Sequence, residues 1–171
     1  MNKVVKTVLL VTHPTRPEAI STANELTKLL TGKQINVFAT IKTDGANDFK
    51  ATDQIDLVVA DLSFISLKLV LPALISVAKE GADFLVMVKP QFEVGKEKLG
   101  AGGVVRDVHL RKEAVVAVAD AAFALTLGTL GVVASPLPGP SGNVEYFLWL
   151  RKGAPALLEV DLDLAIEKGP A

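Results

Sequence analysis

Three charged side chains stand at the ends of apolar runs: Asp61 after residues 55–60, Lys89 after 84–88, and Glu145 before 146–150. In an open parallel sheet, ligands bind beyond the carboxyl ends of the strands, so these positions are where chemistry belongs. An aspartate, a lysine and a glutamate brought to one cleft can orient and deprotonate a hydroxyl nucleophile. The carboxylates hold the ammonium in place, and burial of a lysine favours its neutral form. The plain alternative is three solvated strand-end charges or a structural ion pair, and spacing alone leaves both readings open. His13 ends the first apolar run but precedes Pro14, which reads as turn chemistry more than catalysis.

Periodicity supplies the elements that must position these groups. Residues 4–11 form a nearly continuous aliphatic run, a strand buried on both faces. Pro17 opens a helix with Ala19, Ile20, Ala23, Leu26, Leu29 and Leu30 at three- and four-residue spacing, and Gly32 reads as its C-cap. A second strand covers 35–41, and a polar loop covers 43–52. Then come a strand over 55–61, a helix over 66–79 with Pro72 in its first turn or at a kink, and a strand over 84–88. The connection 89–107 is long and carries Gly95, Gly100, Gly102 and Gly103. A helix over 108–127, strands over 130–134 and 144–150, and a last helix over 158–166 complete the chain. Alternating strands and helices predict an α/β fold. Its form is a three-layer αβα Rossmann-like sandwich, a mostly parallel sheet of about six strands with an antiparallel last strand, in one domain over 1–171.

The Gly-rich stretch 100–103 reads either as a mobile or phosphate-approaching loop or as simple turn chemistry. Its surroundings, 89–112, hold six basic and three acidic residues, a locally cationic window suited to backbone phosphate. Tyr146, Phe147 and Trp149 alternate with apolar neighbours and read as core before base-stacking platform. The turn 12–17 has no glycine, although dinucleotide and adenosyl cofactor sites on such folds use one after the first strand.

Composition removes several function classes. The chain has 171 residues, half of them hydrophobic, and its 18 basic and 19 acidic side chains leave a net charge of −1. Bulk positive charge therefore cannot hold nucleic acid. With no cysteine and two histidines, no thiolate chemistry and no metal site is expected. Mean hydropathy is +0.40, yet the apolar stretch 121–134 is interrupted by Gly128 and Gly131 and ends at Ser135-Pro136. That is short of the ~20 residues a membrane helix needs. With Lys6 breaking any apolar leader, the expectation is a cytoplasmic protein without a membrane partner. Charge shifts along the chain: residues 1–50 carry seven basic and four acidic side chains, and 51–171 carry eleven and fifteen.

Residues 56–67 (Asp56 to Leu67), 88–96 (Val88 to Lys96), 102–105 (Gly102 to Val105) and 134–147 (Ala134 to Phe147) resemble, in order and spacing, the C-terminal half of the TlyA or hemolysin A type of ribosomal RNA 2′-O-methyltransferase, related to the FtsJ group. The resemblance implies that Asp61, Lys89 and Glu145 match three members of that family's Lys-Asp-Lys-Glu catalytic set, with Lys89 activating the ribose 2′-hydroxyl toward S-adenosylmethionine. The family's first lysine, its glycine-rich cofactor motif and its S4-type RNA-binding module have no counterpart here. Residues 7–41 are instead similar to the opening strand–helix–strand of bacterial NAD kinases, through the run Val8 to His13 and Arg16.

These resemblances together predict a chimera of a kinase-like segment, 1–48, and a methyltransferase-like segment, 49–171, joined around 45–53. Without the cofactor segment, catalytic incompetence is the first expectation, and no cofactor is expected to bind tightly. The alternatives are an active divergent RNA methyltransferase using S-adenosylmethionine on rRNA, or a non-catalytic nucleotide-binding module. Two strands rather than three before Asp61 predict an exposed sheet edge and a homo-oligomer formed through it.

Overall fold

The computed structural model describes residues 4–12, 16–40, 55–139 and 141–170. His13, the polar loop 43–52 and the expected junction at 45–53 lie outside the described residues. The elements run β1 (Thr7–Val11), α1 (Pro17–Thr31), β2 (Asn36–Thr40), β3 (Ile55–Ala60), α2 (Leu67–Ser76), β4 (Ala78–Val88), α3 (Val108–Ala124), β5 (Leu127–Ala134), β6 (Tyr146–Lys152) and α4 (Glu159–Glu167). Three short 3-10 turns, Pro90–Phe92, Lys96–Lys98 and Ala101–Gly103, punctuate the long connection after β4.

The six strands form one mostly parallel sheet, as the alternation of elements predicts, and their order is β2-β1-β3-β4-β6-β5. Pairs β1–β2, β1–β3 and β3–β4 are parallel, and β6 runs antiparallel to both β4 and β5. Alternate residues of the central strands, among them Val58, Phe84, Val86, Val88, Tyr146, Leu148 and Leu150, are fully buried. They join Leu71, Val115, Val118, Ala122 and Leu162 of the helices in one core.

Right-handed crossovers place α2 and α3 on one face and α1 on the other, because β1→β2 and β3→β4 step in opposite directions. Helix α4 packs on β5 and α3, on the α2–α3 face. Among the described residues the second helical layer thus holds α1 alone, which buries only Ala23. The sheet face beyond α1 presents Leu57, Leu85, Val133, Phe147 and Trp149 around an apolar hollow of about 490 Å³.

Several element boundaries differ from the periodicity. Strand β1 begins at Thr7, not residue 4, because the Asp56 carboxylate takes the Lys6 and Thr7 N–H groups at 2.9 and 3.0 Å. Strand β4 begins six residues early, where Ala78 pairs with Ile55 across a register shift and Lys79 bonds Asp56 at 2.7 Å. Helix α2 correspondingly stops at Ser76, and Pro72 sits in its second turn rather than its first. Gly32 does follow α1, but with right-handed backbone; the left-handed residue is Gln34, at φ 61°. No helix among the described residues is long and apolar enough to cross a membrane.

Candidate active site

The register of the sheet brings the three predicted groups together. Val88, the last residue of β4, pairs with Tyr146, the first of β6, so Lys89 and Glu145 emerge side by side. Ala60 of β3 pairs with Val86, and the Asp61 N–H caps the β1 ladder on the Val11 carbonyl at 2.8 Å. Lys89 Nζ then lies 2.6 Å from Asp61 Oδ1, 3.8 Å from Glu145 Oε1 and 3.3 Å from Ser63 Oγ. The Lys89 and Glu145 side chains are 9% and 8% exposed, whereas Asp61 is 49% exposed and opens to solvent. The strand-end charges are therefore neither solvated singly nor a simple pair. They form a cluster of one cation and two carboxylates, closed on the protein side and open on the other.

The surroundings set the electrostatics. Burial pushes the Glu145 carboxyl up from its usual range, and Lys89 and a Gln91 hydrogen bond at 3.3 Å pull against it. A Cβ at Gly139 would stand 2.9 Å from Glu145 Oε1, so the bare backbone there lets the carboxylate turn toward Lys89. Gly139 is itself held in a tight turn, donating its N–H to the Asn143 carbonyl at 2.8 Å.

Buried Asn143 ties that turn to the Gly-rich loop. Its Oδ1 accepts the Val105 N–H at 2.9 Å and its Nδ2 donates to the Gly103 carbonyl at 3.1 Å. The loop 100–103 shows the turn chemistry of one sequence reading, with Gly102 and Gly103 at φ 76° and 73°, and it forms part of the site wall.

Two cavities meet at this cluster. One, of about 220 Å³, is lined by Ser63, Phe64, Gln91, Gly102, Gly103 and Asn143. The other, of about 690 Å³, runs beneath α1 past Val11, Thr12, Thr22, Asp61 and Met87 to residues 135–139. Arg16, Lys89, Gly139 and Glu145 border both.

Phe64 guards the rim of the smaller cavity. It is 72% exposed with φ 64°, a strained conformation for a bulky residue, and it meets Phe92 at 5.1 Å between ring centroids and the Arg16 guanidinium at 5.7 Å. Neither Phe64, Asn143 nor Gln91 was signalled as a site residue by spacing. Arg16 stood out only through the kinase likeness. Among the aromatics read as core, Tyr146 is fully buried, but Trp149 is 44% exposed on the open sheet face and donates Nε1–H to Asp83 at 2.9 Å.

Behind the site, Glu93 fastens α2 to the long connection. Its carboxylate accepts the Ser66 hydroxyl at 2.6 Å and the Leu67 N–H at 2.8 Å, while burial raises its pKa against those bonds. Among the described residues no group of acidic or histidine side chains is arranged to hold a metal ion.

Comparison with known proteins concerns the chain as a whole. The FtsJ-like methyltransferase family matches residues 11–152, on both sides of the expected junction. The chain is 57% identical over 122 residues to the 16S/23S rRNA (cytidine-2′-O)-methyltransferase TlyA of Mycobacterium tuberculosis, covering 68% of this chain and 46% of that protein. It is 38% identical over 91 residues to a putative rRNA methyltransferase, YqxC, of Bacillus subtilis, covering 53% of this chain and 32% of that one. It therefore spans less than half the length of these relatives.

Among solved structures, a putative hemolysin from Lactococcus lactis superposes with a TM-score of 0.74 at 24% identity, over 95% of this chain and 86% of that one. A SAM-dependent methyltransferase from Methanosarcina mazei shares the fold at a TM-score of 0.52 and 11% identity, over 89% and 94%. Nothing in these likenesses shows the NAD kinase relation or a chimeric origin, and they do not support catalytic incompetence. The match over residues 11–152 shows that the chain belongs to the FtsJ-like methyltransferase family.

Proposed function

We propose that this chain transfers a methyl group to the 2′-hydroxyl of a ribose in ribosomal RNA, with S-adenosylmethionine as donor. The observation that carries the reading is Lys89, held by two carboxylates where two cavities join. S-adenosylmethionine, when bound, supplies an electrophilic methyl on a sulfonium that leaves as a neutral thioether.

The residues present fit it in part. The 690 Å³ cavity has room for such a molecule, and the half-exposed Asp61 carboxylate and the Thr12 and Thr22 hydroxyls can meet its polar groups. The turn 12–17 supplies no glycine to bring backbone N–H groups close, so weak donor binding is the expectation for this chain.

The chain's own residues handle the proton. Lys89 works as the free amine, once its resting proton has passed to the half-exposed Asp61 carboxylate and on to solvent. Nζ then takes the 2′-hydroxyl proton as the new oxygen–carbon bond forms, and Asp61 and Glu145 stabilise the ammonium that results. Ser63 fixes the direction of Nζ. Phe64, kept exposed at the rim against the cost of its backbone, offers its ring to the nucleobase, an interaction worth about 1–3 kcal/mol per base. Arg16 and the cationic 89–112 segment meet the phosphates.

The test is nucleoside mass spectrometry of unmodified rRNA incubated with the chain and donor. A 2′-O-methylated nucleoside that appears with the native chain, falls about tenfold or more with Phe64→Ala and is lost with Lys89→Ala supports the reading. Its absence with the native chain removes it and leaves a non-catalytic module, the reading that the glycine-free turn favours.

A further inference from the structure

The edge of the sheet opposite β2 carries a second surface, independent of the methyl-transfer reading. Among the described residues β5 pairs with β6 alone. Its first residues are covered, because the Thr129 N–H donates to the Pro155 carbonyl at 2.7 Å. Among the described residues nothing pairs with the outer edge of the remainder, 130–134. Soluble proteins blunt such edges with charges or proline, and β5 has neither, while Leu130 and Val133 are exposed.

Between this edge and α4 lies a groove of about 370 Å³, with Asp161 toward one end, Leu164 and Ala165 in the middle, and Lys168 at the other. Helix α4 runs beside β5 in the same direction, since Pro155 bonds Thr129 at one end and Gly169 approaches Ala134 at the other. Asp161 and Lys168 are exposed, and neither makes an ion pair among the described residues.

These features are self-complementary. The midpoint of 130–134 is Val132, and the midpoint between Asp161 and Lys168 falls between Leu164 and Ala165. The two stretches have similar lengths, about 13 Å of strand and about 10 Å of helix. A two-fold axis normal to the sheet at Val132 makes β5 antiparallel to its own copy and keeps both α4 helices on one face. It then sets Asp161 against Lys168 of the partner subunit, twice, around a central Leu164 contact.

We propose that the chain forms an isologous dimer along the β5–α4 edge, with a second copy of itself as the occupant of the groove and the Asp161–Lys168 pairs fixing its register. Sedimentation equilibrium of the whole chain over about a hundredfold concentration range tests it. Twice the 18.1 kDa chain mass is expected at high concentration. The reversals Asp161→Lys and Lys168→Glu each weaken association about tenfold or more, because like charges then face each other. The double variant Asp161→Lys/Lys168→Glu restores it. Both positions are exposed, and circular dichroism of each variant is the check that it folds. A monomer at every concentration, or a dimer indifferent to the single reversals, or a double variant as weak as the singles, overturns the proposal.

Discussion

Lys89 is held in a way that separates its neighbours' roles. Asp61 is close but half open to water, so its pull on the ammonium is screened; Glu145 is farther but buried, where charge acts more strongly. Burial also leaves Glu145 with a raised pKa, so its ionised form lowers the stability of the fold at neutral pH. Glu145→Gln should therefore raise the melting temperature at pH 7 while lowering the methyl-transfer rate about tenfold, a loss of ~1.4 kcal/mol in transition-state stabilisation. Parallel thermal melts and initial rates check it, and a fall in both would show the carboxylate to be structural instead. The three charged positions were legible in the sequence because each follows or precedes a buried run. The exposed Phe64 was not, because a positive φ follows from how β3 hands over to α2 and leaves no mark in residue type.

At the scale of elements, α2 depends on a cap built from two segments. Ser66 accepts the Lys68 N–H at 3.2 Å and gives its own hydroxyl to Glu93, which lies 27 residues on. Ser66→Ala removes both and should cost about 1 kcal/mol, or ~2–4 °C in melting temperature for a domain of this size. Urea unfolding measures it, and an unchanged midpoint would mean that Glu93 alone caps the helix. Helices and strands were readable wherever periodicity and turn residues agreed, as at Pro17 and along 55–60. The early start of β4 was hidden because Lys79-Glu80-Gly81 has the composition of a turn; its pairing is fixed from outside, by Ile55 and Asp56. Local propensity lost there to a non-local ladder.

For the whole molecule, three buried carboxylates set opposite pH responses. Burial raises the Asp56 pKa, but hydrogen bonds from Lys79, Lys6 and Thr7 outweigh it, so the net shift is downward. Its stabilising contribution is present above the unfolded value of 3.8 and is lost as pH falls through the lower folded value. Glu93 and Glu145 are raised, so their contribution is complete below 4.5 and is lost as pH rises through their folded values. From these groups stability should peak near pH 4, between the two windows. Asp56→Asn should remove the acid-side fall, and Glu93→Gln with Glu145→Gln the fall above pH 4.5. Urea titrations across that range read both slopes, and a stability rising steadily to neutral pH would contradict the assignment.

The fold class and strand count were visible from alternating elements, but the uneven helix cover, with α1 alone on one face among the described residues, was not, since it follows from the direction of each crossover. The expected chimera rested on a missing glycine turn and a 40-residue likeness. The family match instead runs from residue 11 to 152. The most direct test of the account is a single-turnover methyl-transfer rate at saturating donor for the native chain and Lys89→Met. The account predicts a fall of about 10²- to 10⁴-fold with donor affinity unchanged. An equal rate in the two would contradict it.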